Sequence, residues 1–482
     1  MTAKSTLALL FVITVVLGLL RSDWSPTAAK RQIHLSFWNG WTGPDGRVAL
    51  EMIRRFNKAN PDIQVSMQRM DWATYYNKLM VAAVDGRGPE LFVIHSSTLP
   101  RMHRAGFVAN VTTLFEGQDA IPPSDFDPYV LEQERYGSDY VGVPLDIHPQ
   151  GLYCNLDLLK KAGLAHPPTN REEFLQAMRA MRVDSDHDGH PDNWGFALTL
   201  WRNNFQSLMP QFGGRYFDEN GHADLANPGN VAALEFLAEI EKQHLVPPPE
   251  NGLGWVGFRQ GKVGMVFEGV YMLGDLLRLD DLKYTGAPIP QVGPRPGTMA
   301  DSHVLCIRQG LDAATRSAAE RFIRFMSANS IDWAAAGQVP ARKSVRATPA
   351  FAAMPVQSAF AKQIPYMLYP PRTTVLFELS LEIDLAVEKV LRGRASATEA
   401  LKTANANVQS ALDRDARERT GERVSCGAPF PSSRCLCLTR ERGLGVRESP
   451  PEGPPLSRAA SPTANLKSGI KPAPWTQDRR PV

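Results

Sequence analysis

Apolar residues recur along this chain with two alternating periods. In "IHLSFW" the residues Ile33, Leu35 and Phe37 fall at every second position, the period of a half-buried strand. "PDGRVALEMIRRFNKANP" then places Val48, Met52 and Phe56 on one helical face, with Asp45 as the expected cap and Asn60-Pro61 as the stop. "DIQVSMQ" alternates again, "TYYNKLMVAAVDG" reads as a second amphipathic helix, and "ELFVI" is a continuous apolar run, the pattern of a parallel strand covered on both faces. The order βαβαβ predicts a doubly wound α/β unit.

From Tyr140 the pattern restarts. "YVGVP" leads to "GLYCNLDLLKKAG", a strand-like start that runs into a helix stopped by Gly163. "TNREEFLQAMRAM" carries the signature of a capped helix, Thr169 or Asn170 with Glu172 and Glu173 close behind. "NVAALEFLAEIEKQ", "AAERFIRFMSAN" and the segments from Phe377 to Leu412 read as further helices. One α/β unit followed by a second, with helices at the end, predicts two lobes. After Val424 the periodicity stops. Ten prolines fall in the last 58 residues, and this tail is expected to be disordered.

At 482 residues the chain is too long for one core of ordinary size. A net charge of +3 gives no electrostatic footprint for nucleic acid. Lys4 precedes an apolar segment from Leu7 to Leu20, shorter than the ~20 residues of a membrane span but suited to the core of a signal peptide. Residues 1–29 are therefore expected to be a signal peptide or an N-terminal anchor, and the protein to be exported. Cys154 and Cys306 sit in apolar contexts as expected buried thiols, though export would also permit a disulfide between them.

Gly252, Gly254 and Gly257 spell G-x-G-x-x-G, but Pro247 to Pro249 precede them where a nucleotide-binding fold requires a strand. In "DSDHDGHPD", Asp184, Asp186 and Asp188 followed by Gly189 match the opening of a calcium loop; the twelfth position is Gly195 rather than glutamate, and the alternative is a polar turn. No other cofactor is expected. The aromatics say more. Trp38, Trp41, Trp72, Trp201, Trp255 and Tyr271 each lie near a Gly, Asn or Asp rather than inside an apolar run. Trp41, Trp72, His95-Ser96 and Glu268-Tyr271 fall at the carboxyl ends of expected strands, where open α/β sheets bind ligands. In "FRQGKVGMVFEGVY" a buried strand, Val263 to Phe267, ends on Glu268, Gly269 and a ring. Gly269 is expected to let a ligand approach the backbone. Glu268 either accepts ligand hydroxyls or caps the following helix. A polyol needs this mixture of rings for its C–H faces and polar groups for its hydroxyls.

The chain resembles a family 1 extracellular solute-binding protein of an ABC importer, of the carbohydrate-binding kind. "RRFNKANPDIQV", "GPELFVI", "YVGVPLDIHPQGLYCNLDLLKKAGL", "QFGGRYFDENG", "FRQGKVGMVFEGVY" and "VPARKSV" carry the likeness, in that order. The resemblance implies an α/β, two-lobed fold with a hinge and an interlobe cleft. It places the first lobe at 31–142 plus 290–339 and the second at 143–289 plus 340–424. It further implies ligand contacts at Asn39, Trp41, Asp71, Trp72, His95 and Ser96 from the first lobe. Asp146 and His148 follow at the hinge, with Trp201, Glu268, Gly269 and Tyr271 from the second lobe and Ser302, His303 and Arg342 near the later crossings. The partners implied are a carbohydrate and membrane permease subunits, with a monomeric, periplasmic protein that catalyses no reaction. An exported glycoside hydrolase using Asp146 and Glu268 is the rival reading. A binding protein for another solute, such as a phosphorylated polyol, is a third.

Overall fold

The alternation at Ile33, Leu35 and Phe37 becomes strand β1 (Ile33–Asn39), and the amphipathic run after it becomes helix α1 (Pro44–Ala59). These elements come from a computed structural model that describes residues 32–248 and 252–420. The chain divides into two units, one up to Val424 and one from Ser425 to Val482. The expected export segment and the expected disordered tail lie outside the described residues. Among those that are described, no helix is long and apolar enough to cross a membrane.

Two sheets organise the first unit. β1 pairs in parallel with β2 (Ile63–Arg69), Ile33 opposite Ile63, and with β3 (Leu91–His95), Phe37 opposite Leu91. Helix α2 (Trp72–Asp85) follows β2, giving the expected βαβαβ order. α1 buries Ala49, Met52, Ile53 and Phe56, and the Phe56 ring meets Phe322 edge to face at 5.2 Å. Met52, Ile53 and Phe56 each contribute about 1.5–3 kcal/mol of burial. Asp45 is not the cap of α1. Gly43 holds that position, and Asp45 sits in the first turn with its Oδ1 accepting the Gly46 N–H at 2.7 Å.

The chain leaves the first sheet after β4 (Val143–Pro144) and enters the second at β5 (Asp146–Asn155), a strand buried along its whole length. β5 is longer than its hydropathy pattern predicts. "DIHPQ" carries polar residues and a proline, and only partners on both sides make it a central strand. It pairs antiparallel with β7 (Val263–Gly269), β8 (Tyr284–Ala287), β9 (Thr298–Asp301) and β11 (Val339–Pro340). β6 (Trp194–Ala197) runs parallel to β7 at one edge, and β12 (Met367–Leu368) runs parallel to β9 at the other. The chain returns to the first sheet as β10 (His303–Ile307), antiparallel to β3 and β4. The two passages between sheets run side by side: Asp301 pairs with His148, and the Leu145 N–H donates to the His303 carbonyl at 2.8 Å.

The capping box is present at α3 (Arg171–Ala180). Asn170 Oδ1 accepts the Glu173 N–H at 3.0 Å, and Glu173 Oε2 accepts the Thr169 N–H at 2.7 Å. Gly163 adopts φ 73°, the left-handed turn that ends the preceding helix. Cys154 and Cys306 are both buried free thiols, one in each sheet.

Candidate functional site

The passages between the sheets bring three titratable side chains together, Asp146, His148 and His303. Asp146 and His148 are two apart on β5 and so share a face. Asp146 is fully buried and each carboxylate oxygen accepts two hydrogen bonds. Oδ1 takes the His303 backbone N–H at 2.8 Å and His148 Nδ1 at 3.3 Å. Oδ2 takes His303 Nδ1 at 2.7 Å and the indole N–H of Trp333 at 2.6 Å. Burial works against the charged carboxylate, but His303 and His148 more than offset it and hold Asp146 well below the usual carboxylate range. Burial also disfavours a charged His303, while Asp146 favours it and moves it upward. The hydrogen bonds decide the resting form. Trp41 Nε1–H points at His303 Nε2 at 3.3 Å, so that nitrogen carries a lone pair and Nδ1 carries the proton.

Rings from both sheets gather around this cluster. His95 closes β3 directly opposite His303, with centroids 5.1 Å apart. Its Nδ1 lies 2.5 Å from the Tyr76 hydroxyl, and burial pushes its pKa well below the ordinary value. Trp72 lies nearly parallel to His303 at 5.5 Å and packs on His95 at 4.5 Å. His148 stands 4.7 Å from His303, 5.4 Å from His95 and 6.1 Å from Tyr271 of the second sheet. Glycine makes two of these placements possible. A Cβ on Gly40 would lie 2.1 Å from the Trp72 ring, and one on Gly269 would lie 2.0 Å from the Tyr271 ring.

That last distance corrects the expectation for Gly269. The space over its backbone is filled by Tyr271 rather than left open to a ligand. Glu268 next to it is buried, and its Oε2 accepts the Gly269 N–H at 3.1 Å. The 3-10 turn after it has no side-chain cap, so Glu268 is not a helix cap in the usual sense. Burial pushes its carboxyl up to about 7. Glu268 also lines a cavity of about 610 Å³ in the second sheet's half, walled by Thr199, Leu200, Trp201, Trp255 and Met272.

Several expected contacts lie elsewhere or are already engaged. Trp41 is fully buried, with its ring 4.4 Å from Trp333 and 5.9 Å from Phe37, so here it is a wall of the core with no open face. Asn39 Oδ1 accepts the Trp41 N–H at 3.2 Å. Asp71 is exposed and caps α2 through the Thr74 N–H. Ser96 donates to Glu134 at 2.5 Å, and Ser302 bonds Tyr369 at 2.6 Å. Arg342 pairs with Asp125 at 2.6 Å. The Asp184, Asp186 and Asp188 loop lies outside the cluster. Its carboxylate oxygens come within 4.8 Å of one another, and three of them accept N–H groups of the same turn.

Sequence reasoning missed Trp333, Tyr76, Glu134 and Asp301. Trp333 stands alone in an alanine-rich stretch, the one local sign that it has a specific partner. Glu134 is fully buried, and its Oε2 has no hydrogen-bond partner among the described residues.

Comparison with known proteins fits this architecture. Over 445 residues the chain is 23% identical to the arabinooligosaccharide-binding protein of Bacillus subtilis (strain 168), covering 86% of this chain and 97% of that one. The solved sugar-binding protein MalE from Xanthomonas citri superposes with a TM-score of 0.69 at 22% identity, over 81% of this chain and all of that one. The maltose/maltodextrin-binding domain MalE from Bdellovibrio bacteriovorus, bound to maltotriose, gives 0.68 at 20% identity, over 79% and 100%. These structures share the two-lobed fold. The family model for bacterial extracellular solute-binding proteins matches residues 51–357. With two sheets joined by paired crossings, and a ring-lined polar cluster where they meet, the chain belongs to the bacterial extracellular solute-binding protein family.

Proposed function

We propose that this protein captures a carbohydrate between its two lobes and delivers it to a membrane permease of an ABC importer. The lobes are taken to divide at the passages around Leu145 and Ser302. One observation carries the reading: Trp72 and His95 from the first sheet's side meet His148 and Tyr271 of the second in one chain of ring contacts. Such a surface offers flat faces for sugar C–H groups and imidazole and phenol groups for hydroxyls. The saccharide binders among its relatives and structural neighbours support the choice of cargo. A ligand that touches both lobes only when they are shut shifts the population toward the closed form. The family supports export, the periplasm is the compartment this reading assigns, and a monomer suffices for capture. The Asp184–Asp188 loop, if it binds a cation, would take calcium through its carboxylates.

The test is a thermal-shift screen of the purified protein against neutral mono- and oligosaccharides, followed by calorimetry and recovery of the ligand. At least one saccharide should raise the melting temperature and be recovered intact, because ligand that binds only the folded state stabilises it by mass action. A screen in which no saccharide shifts the transition, or in which the sugar is cleaved, would overturn the reading.

A further inference from the structure

We propose that Asp146, His148 and His303 form a binding site for one divalent transition cation, of which zinc is the chemical prototype. Each offers a ligand atom within 4.8 Å of the others, and all three residues are buried. Two imidazoles and one carboxylate, with a fourth position left over, is a common protein ligand set for zinc. Imidazole nitrogen also selects against calcium and magnesium, which take oxygen.

Three further observations support the site. The first is that the ligands sit on rigid elements. Asp146 and His148 share one face of a strand paired on both sides, and His303 is tied to Asp146 through its backbone N–H. The second is the charge around them. Asp45, Asp146 and Asp301 crowd this region, and among the described residues none makes an ion pair with lysine or arginine. Among the described residues Asp301 has only Ser97 and Ser302 as donors, and Asp146 only imidazole, indole and backbone N–H groups, so this buried negative charge lacks a permanent cation, which a divalent metal would supply. The third is a supporting shell: the Trp333 indole N–H orients the carboxylate from behind.

His95 packs beside the site but lies outside the set of three ligands, its Nδ1 engaged by the Tyr76 hydroxyl. His95, His148 and His303 are spaced at 4.7, 5.1 and 5.4 Å. Coordination through His303 Nδ1 moves its proton to Nε2, so Trp41 must release its long 3.3 Å contact. Tryptophan fluorescence should therefore report loading.

The experiment titrates the purified, chelator-treated protein with Zn²⁺ and Co²⁺ in the absence of sugar. About one equivalent should survive gel filtration, the cobalt form should show the intense visible bands of four-coordinate Co²⁺, and His148→Gln and His303→Gln should each weaken binding at least tenfold. Replacing Asp184, Asp186 and Asp188 together by asparagine should leave it unchanged. Absence of a cobalt band, or binding lost in the asparagine variant and kept in the histidine variants, would overturn the proposal. If the histidine variants fail to fold, the wild-type cobalt spectrum decides, and a weak six-coordinate spectrum counts against the site. The carbohydrate reading stands apart, since sugar binding by metal-free protein is measured separately and neither result depends on the other.

Discussion

His303 lies directly opposite His95 across an antiparallel strand pair, and the two rings approach to 5.1 Å. One residue begins the strand that returns from the second sheet, and the other ends a strand of the first. Tyr76 fixes one of the two, its hydroxyl both accepting the His95 backbone N–H at 3.1 Å and meeting Nδ1. Tyr76→Phe should weaken ligand binding severalfold by freeing the His95 ring, while costing only about 1 kcal/mol of stability. Calorimetry alongside urea unfolding separates the two effects, and unchanged affinity would remove His95 from the site.

Glu268 titrates near neutrality, at about 7 against an ordinary 4.5. Above that value it is a carboxylate, which only accepts hydrogen bonds, and below it a neutral acid. Affinity for a sugar should rise as pH increases through 7. Glu268→Gln should flatten that rise and cost roughly tenfold at pH 8.5, the scale of one hydrogen bond to a charged group. Equal affinities of wild type and variant at pH 5.5 and 8.5 would show that the carboxylate does not touch the ligand.

Glu134 gives a stability signature. Burial pushes its carboxyl up to about 8 from an ordinary 4.5. Between those values the folded state keeps a proton that the unfolded chain has lost, so stability falls as pH rises through this window and levels off above 8. The loss is on the order of 3–5 kcal/mol at most. Glu134→Gln should remove that slope and leave the variant more stable than wild type at pH 9. Parallel pH profiles for the two proteins in denaturant unfolding would refute the assignment.

Trp333→Phe deletes the indole N–H that reaches Asp146 at 2.6 Å and keeps most of the ring. The fully buried carboxylate would lose one of its four donors. A cost of about 1.5–3 kcal/mol is expected, read by chemical unfolding at pH 7. A smaller loss would mean that the remaining three donors satisfy the charge.

Arg342 serves as a contrast. Its guanidinium is engaged by Asp125, which also accepts the Ser344 N–H and hydroxyl. Arg342→Ala should lower stability by about 1–2 kcal/mol and leave sugar affinity unchanged. A large loss of affinity in a protein of normal stability would return Arg342 to the ligand.

Much of the fold was legible because local physics produced it. The period-two runs at Ile33 and Ile63, the helical face of Val48, Met52 and Phe56, and the capping box at Thr169 to Glu173 need only neighbours in sequence. The positions of Trp72, His95, Glu268 and Tyr271 at strand ends were readable for the same reason. β5 was less so, because "DIHPQ" is a strand only when partners from three other segments flank it. The site was least legible of all. Nothing in sequence links Asp146 to Trp333 or His303, which are brought to it across more than 150 positions by the paired crossings.

By itself, then, the sequence determined which segments are strands and helices, and which chemistry-bearing residues stand at their ends. The tertiary structure alone decided which of those side chains meet, which are already spent on a neighbour, as Arg342 and Asp71 are, and which rings keep an open face. Periodicity is set by backbone geometry within a few residues, whereas partnership depends on how distant strands register against one another.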